Sequence, residues 1–203
     1  QLPNAKIVQS VETPLQKELI HTPLSVVINE VAWQRTYDSY YYGEYVIEPS
    51  WIELYNNTNT DINLKDWSLE GPQEKLLPLQ GVIKAQDYFL IEGTALTTNQ
   101  SEDLIVPLES FQNSFSRPIL IVRWKDQIID TDAESHQQLE WHTTYTVERI
   151  HSLQSSTFQN WKRFSGATTF ALDVQGHPIS GTPRRMNSTY PTNYTSVVTT
   201  GIT

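Results

Sequence analysis

The stretch Trp51–Ile91, WIELYNNTNTDINLKDWSLEGPQEKLLPLQGVIKAQDYFLI, constrains the fold more than any other part of the chain. Trp51, Glu53 and Tyr55 alternate with Ile52 and Leu54, the period-two signature of a strand with two different faces. Asn56–Asp61 follows as a turn, because Asn and Asp side chains bond their own backbone and tolerate left-handed φ. Ile62-Asn63-Leu64 resumes the strand pattern, Lys65-Asp66 breaks it, and Trp67-Ser68-Leu69 starts again. Gly71-Pro72, Gly81 and Gly93 punctuate the rest, with Tyr88–Ile91 as the last apolar run. Short strands interrupted at roughly regular intervals, with no long helical period, predict a sandwich or a barrel.

The same residues carry a resemblance. VVINEVAW (Val26–Trp33), WIELYNNTNTDINLKDWSL and the later G-x-I-x-A-x-x-YFLIEG resemble the lamin tail domain, the immunoglobulin-like sandwich of lamins and of many secreted bacterial proteins. Val147-Glu148-Arg149-Ile150, Trp161 and Gly176–Pro183 are similar to the closing motifs of the bacterial members. The likeness covers roughly Val26 to Asn187, and its first half is the more specific. It implies an all-β, Ig-like fold over residues 24–187, with extensions at 1–23 and 188–203. A tyrosine-rich insert at Tyr37–Val46 and the segment Thr94–Pro118 have no counterpart in the family pattern.

Composition narrows the partners. The formal net charge is −9 and no Lys/Arg cluster exceeds Arg184-Arg185. Nucleic-acid binding needs a cationic field to exchange for counterions, so it is not expected. No apolar run reaches the ~20 residues of a membrane helix, so no transmembrane segment is expected. The chain has no cysteine, which excludes disulfides, thiolate metal sites and cysteine nucleophiles. A start at Gln1 fits a product secreted after signal-peptide removal, and an extracellular, cell-surface location is the expectation.

Ala5–Glu12 (AKIVQSVE) reads as a strand with Ile7 and Val11 on one face and Val8 on the other, and Pro14 and Pro23 bracket a linker behind it. Tyr194–Thr200, with Val197 and Val198, is also β-prone. Both lie outside the sandwich pattern, where a lone strand has no partner for its N–H and C=O groups. Docked onto the chain's own edge they would extend a sheet; lent to another copy they would build a polymer. Along Ser25–Trp33, strict alternation places Val26, Ile28 and Glu30 together, opposite Val27, Asn29 and Val31. Leu104–Leu108 is a further apolar run, Ile119–Trp124 reads as a central strand, and Lys125-Asp126 is its hairpin turn. Asp132–Trp141 reads as a helical turn. Thr144–Ile150 is the last expected sandwich strand, and Ser152–Gly181 is expected to wrap the surface.

Candidate functional residues fall into four groups. Tyr37, Tyr40, Tyr41, Tyr42 and Tyr45 form either a recognition loop for carbohydrate or protein, since tyrosines give large contact area at small entropic cost, or a loop folded back over the sandwich end. Glu30 and Glu53, on neighbouring strands, could act as acid and base of a hydrolase or hold a hard cation. The competing reading has them bonding backbone amides at a sheet edge, or facing solvent. Asn56, Asn99, Asn187 and Asn193 begin N-x-S/T sequons and are candidate glycosylation sites. Trp51, Trp67, Trp124 and Trp161 are expected core anchors, with Trp33 and Trp141 flanking loops. His21, His136, His142, His151 and His177 show no metal-binding spacing, and no nucleophile elbow, phosphate loop or dinucleotide fingerprint occurs. The sequence therefore predicts a non-enzymatic subunit without cofactor or metal. It would self-assemble head to tail into a filament through a terminal strand, and an adhesive module presenting the tyrosine loop is the alternative.

Overall fold

In the computed structural model, residues 21–38, 44–95, 97–111, 119–132, 145–165 and 171–188 are described, and the account below concerns these. The strands are β1 (Val26–Asp38), β2 (Glu44–Asn56), β3 (Ile62–Asn63), β4 (Trp67–Glu70), β5 (Leu76–Pro78), β6 (Val82–Ile83) and β7 (Tyr88–Glu92). They continue with β8 (Leu104–Ile105), β9 (Ile121–Trp124), β10 (Gln127–Thr131), β11 (Tyr145–Arg149), β12 (Trp161–Arg163), β13 (Ala171–Leu172) and β14 (Pro178–Ile179). Among the described residues the only helical pieces are short 3-10 turns, so the fold is all-β, as the spacing of short strands predicts.

The large sheet has the order β12-β11-β1-β2-β7-β8, and a second sheet has the order β10-β9-β4-β5. Their facing sides hold one apolar core. Val26, Ile28, Val31 and Trp33 of β1, Ile52 and Leu54 of β2, and Phe89 and Ile91 of β7 meet Trp67, Leu69, Val122 and Ile129 from the other sheet. Burying a side chain of this size contributes about 1.5–3 kcal/mol, enough collectively to hold a sandwich without disulfides.

One irregularity decides which residues of β1 face outward. Ile28 pairs with Leu54 but Glu30 pairs with Glu53, so β1 spends two residues where β2 spends one, and Asn29 is the extra. This β-bulge corrects the alternation read from sequence. Ile28 and Val31 both belong to the core cluster, and Glu30 lies on the opposite face. Strand β2 keeps strict alternation, with Ile52 and Leu54 inward and Trp51 in a separate cluster with Ala32, Leu90 and Ile179 on the sheet's outer face.

Three further expectations are corrected. The sandwich does not end at residue 150: Trp161–Arg163 pairs with β11 as an additional edge strand, and Trp161 is fully buried. Trp33 is core rather than a loop flank. Tyr37 and Tyr45 do not sit in a loop, since they pair with each other inside the β1–β2 hairpin. Strand β11 pairs with β1 only over Glu30–Trp33 and β7 pairs with β2 only over Trp51–Tyr55. From Gln34↔Glu48 to Asp38↔Glu44 the hairpin therefore runs on as a two-stranded ribbon with no further strand beside it among the described residues.

The turn after β2 is tied by Asn56. Its carbonyl oxygen accepts from the backbone N–H and hydroxyl of Thr58, both at 2.8 Å. Its amide donates to the carbonyls of Thr60 at 2.8 Å and Lys84 at 2.9 Å. The Lys125-Asp126 turn joins β9 to β10 as expected. Ile7, Val8, Val11, Val197, Val198, Tyr40, Tyr41, Tyr42, Trp141, Asn193 and the helical turn expected at Asp132–Trp141 (beyond Asp132 itself) lie outside the described residues.

Candidate functional site

Three strands of the large sheet each carry a glutamate beside at least one apolar residue: N-E-V in β1, I-E-L in β2 and V-E-R in β11. The register places them side by side. Glu30 is the partner of Glu148 on one side and of Glu53 on the other. The result is a row, Glu148–Glu30–Glu53, crossing the outer face of the sheet, and all three side chains are wholly buried.

What buries them is the closing segment Gly181–Ser188. The Thr182 backbone N–H donates to Glu30 Oε1 at 2.8 Å. The Thr182 hydroxyl donates to Glu148 Oε1 at 2.7 Å. The backbone N–H of Arg184 donates to Glu53 Oε2, and that of Ser188 donates to Glu148 Oε1 at 2.9 Å. The Ser188 hydroxyl completes the set on Glu148 Oε2. From beneath, Asn29, displaced by the bulge, donates to Glu53 Oε1 at 2.9 Å and to Asn187 Oδ1 at 2.9 Å. Asn187 in turn donates to the carbonyls of Asn29 at 3.1 Å and Arg149 at 2.8 Å. Gly181 allows the approach: a Cβ there would lie 2.6 Å from Trp51 Cζ2 and 2.7 Å from Glu30 Oε1, at φ +148°.

No cation touches the row among the described residues. The Arg184 guanidinium turns away to the Ser101 carbonyl and the Asp103 carboxylate. Burial first, then the neighbouring Glu53 and Glu148 carboxylates, pushes Glu30 well above the ordinary carboxylate range, against the opposing hydrogen bonds of Thr182. Burial pushes Glu53 up to about 8, against the Arg184 N–H and the Asn29 amide, which pull it down. Near neutral pH Glu53 therefore holds a proton that an ordinary glutamate has lost.

A second polar cluster lies on the core side. Arg149, fully buried, donates through Nε to the Ile28 carbonyl at 2.8 Å and through Nη1 to the Gln154 carbonyl at 2.9 Å. Its Nη2 pairs with Asp130 Oδ2 at 2.5 Å, and its guanidinium lies 4.8 Å from the Trp161 ring. Asp130 also accepts the Ile28 backbone N–H at 2.8 Å. The pair thus satisfies the backbone where the bulge lets β1 run past the end of β11, joining the two sheets. Burial raises Asp130 to about 6 even though Arg149 pulls the other way.

Comparison with protein-family models finds none that matches, and comparison with curated proteins finds no match.

The structure sorts the sequence candidates as follows. Glu30 and Glu53 are brought together and do accept backbone amides, but at the centre of the large sheet rather than at an edge or in solvent. With the closing segment in place they face no cleft through which a substrate could arrive. Glu148, Arg149 and Asp130 were missed as functional partners, although a glutamate inside each of three strand-like runs was a readable signal. Two glycosylation candidates are corrected. Asn56 is wholly buried with its amide hydrogen-bonded, and Asn187 is buried inside the carboxylate cluster, so neither amide has room for a sugar. Asn99 is exposed. Among the described residues no group of three or more His, Cys, Asp or Glu is arranged to hold a metal ion.

Proposed function

We propose that this chain is a non-enzymatic, extracellular structural subunit that associates with copies of itself through β-structure its fold leaves open. The observation that carries the reading is the β1–β2 ribbon. Five residue pairs, Gln34↔Glu48 to Asp38↔Glu44, extend past the last sheet neighbour with neither edge paired among the described residues. An isolated two-stranded ribbon is marginal in water, and one that forms gains by adding a strand. Strands β8 and β12 end the large sheet with their outer edges likewise unpaired among the described residues. These are acceptor edges for a strand such as Ala5–Glu12 or Tyr194–Thr200 lent by a neighbour. The burial of Glu30 and Glu53 in a structural cluster weighs against their use as hydrolase acid and base. The likeness to the lamin tail domain in secreted bacterial proteins supports the cell-surface setting.

A second reading has its own support. Tyr37 and Tyr45 pair within the ribbon near the far end of this arm, and Tyr40–Tyr42 fall between its strands in sequence. In this reading the arm binds a surface protein or a carbohydrate rather than another copy. Sedimentation velocity on the intact chain separates the two. Concentration-dependent assembly that is lost when residues 1–13 are deleted, or when the ribbon is shortened to an Asn-Gly turn at Gln34/Glu48, is the expected result. A monomer at every concentration overturns self-assembly and leaves the binding arm.

A further inference from the structure

We infer that Gly181–Ser188 is a proton-held latch on the outer face of the large sheet, closed while Glu30 and Glu53, in the row they form with Glu148, keep their protons and lifted when alkalinity removes them. The inference goes beyond the assembly reading and does not depend on it.

Three features of the geometry carry it. The row is continuous, because register on both sides of Glu30 forces the three carboxyl groups together. The donors that reach it from above all belong to one short segment: Thr182 twice, the Arg184 N–H, and Ser188 twice. The row lies on the face away from the main core. Lifting the segment gives up its hydrogen bonds to the row, those of Asn187 to the Asn29 and Arg149 carbonyls and those of Arg184 to Ser101 and Asp103, while the Val26–Trp161 core stays packed.

Among the charges around the row, Arg184 pulls Glu53 down, but burial outweighs it. From β7 the nearest acid on the same sheet is Glu92, also raised by burial and bonded to the Thr98 hydroxyl. From β12, Lys162 stands opposite Glu148 in register but is exposed. On the cover, the Arg184 guanidinium is engaged by Ser101 and Asp103, and Arg185 is exposed. The β13–β14 hairpin contributes His177 and Asp173, which pair with each other at 3.1 Å. Adjacent carboxylates beneath the segment cannot be hydrated while it stays down, the nearby Arg184 guanidinium being engaged by Ser101 and Asp103, and water reaches them once it lifts. The direction follows from linkage. Groups raised in the closed state contribute stability that is full below their free value and lost as pH rises through their closed value, about 8 for Glu53.

The test uses tryptic cleavage after Arg184 and Arg185 in the intact chain between pH 6.5 and 9.5, normalised to a free peptide of residues 181–188 to remove the protease's own pH dependence. The expected result is the strongest protection at pH 6.5, with relative cleavage rising by up to about tenfold per pH unit for each proton lost on opening and levelling off, for the Glu53 proton, above about pH 8. Far-UV circular dichroism should stay constant over the same range. The double variant E30Q/E53Q, neutral and close in shape, should hold protection flat to pH 9.5. Hydrogen exchange of the native 181–188 peptide, compared at matched intrinsic rates, reads the same opening if the variant fails to fold. Native protection that is flat with pH, an alkaline opening unchanged in E30Q/E53Q, or loss of circular dichroism along the same limb overturns the latch.

Discussion

Replacing Arg149 by methionine should be the most damaging single polar-to-apolar change in this domain, and its cost should grow with pH. Methionine keeps the length of the side chain and removes four donations: to the carbonyls of Ile28, Gln154 and Thr131, and to the Asp130 carboxylate. At pH 5, Asp130 is protonated in both proteins, because burial already holds it near 6 in the native one. The variant then loses hydrogen bonds alone, roughly 1–3 kcal/mol at a buried site. At pH 7.5 the native Asp130 is ionised beside its cation, whereas in the variant it must either ionise unpaired or retain a proton at a cost. Breaking one half of a buried pair costs about 3–5 kcal/mol. Urea unfolding at the two pH values, followed by tryptophan fluorescence, measures both numbers. The sign is specific: the deficit must widen as pH rises through 6. A deficit under about 1 kcal/mol at pH 7.5, or one equal at the two pH values, refutes the assignment of Arg149 as the clamp between the sheets. Adding Asp130→Asn to the variant should cancel the pH dependence, since no carboxylate then remains to be stranded.

Two further predictions concern asparagines that sequence alone treated alike. Asn56→Ala removes about four hydrogen bonds that close the turn after β2, and at about 1 kcal/mol each for neutral pairs the thermal midpoint should fall by roughly 8–16 °C. Among the described sequons, expression through a glycosylating secretory pathway should modify Asn99 and leave Asn56 and Asn187 bare, which peptide mass mapping after deglycosylation in heavy water will show.

The sheets were legible because their signal is local. Ile52, Leu54, Phe89 and Ile91 alternate with outward residues over spans that a reader can see, and Lys125-Asp126 turns between two runs of β-branched residues. The third layer was not legible, because it depends on register. A one-residue bulge at Asn29 turns Glu30 to the outer face, and no periodicity in a single strand announces such a slip. Only when β11 is laid beside β1 does Glu148 come next to Glu30, although the two are far apart in sequence. The same holds for Trp161. Its ring was expected in the core, but its three-residue segment follows a run of polar turns and does not read as a sheet strand until its pairing with β11 is known.

The two polar clusters show why the sandwich tolerates so much buried charge. Both exist because β1 bulges at Asn29. The bulge frees the Ile28 backbone on one side, and Arg149 with Asp130 takes up that N–H and carbonyl between the sheets. It also pushes Asn29 outward on the other side, where its amide bridges Glu53 and Asn187 and so connects the row to its cover. An unbulged β1 would present Glu30 to the main core, where no donor waits, at a cost far above that of the bulge. One inserted residue thus sets the register that joins the two sheets and the docking of the closing segment. The first cluster answers burial with an opposite charge and the second answers it with protons, which is why only the second is expected to open when the solution turns alkaline.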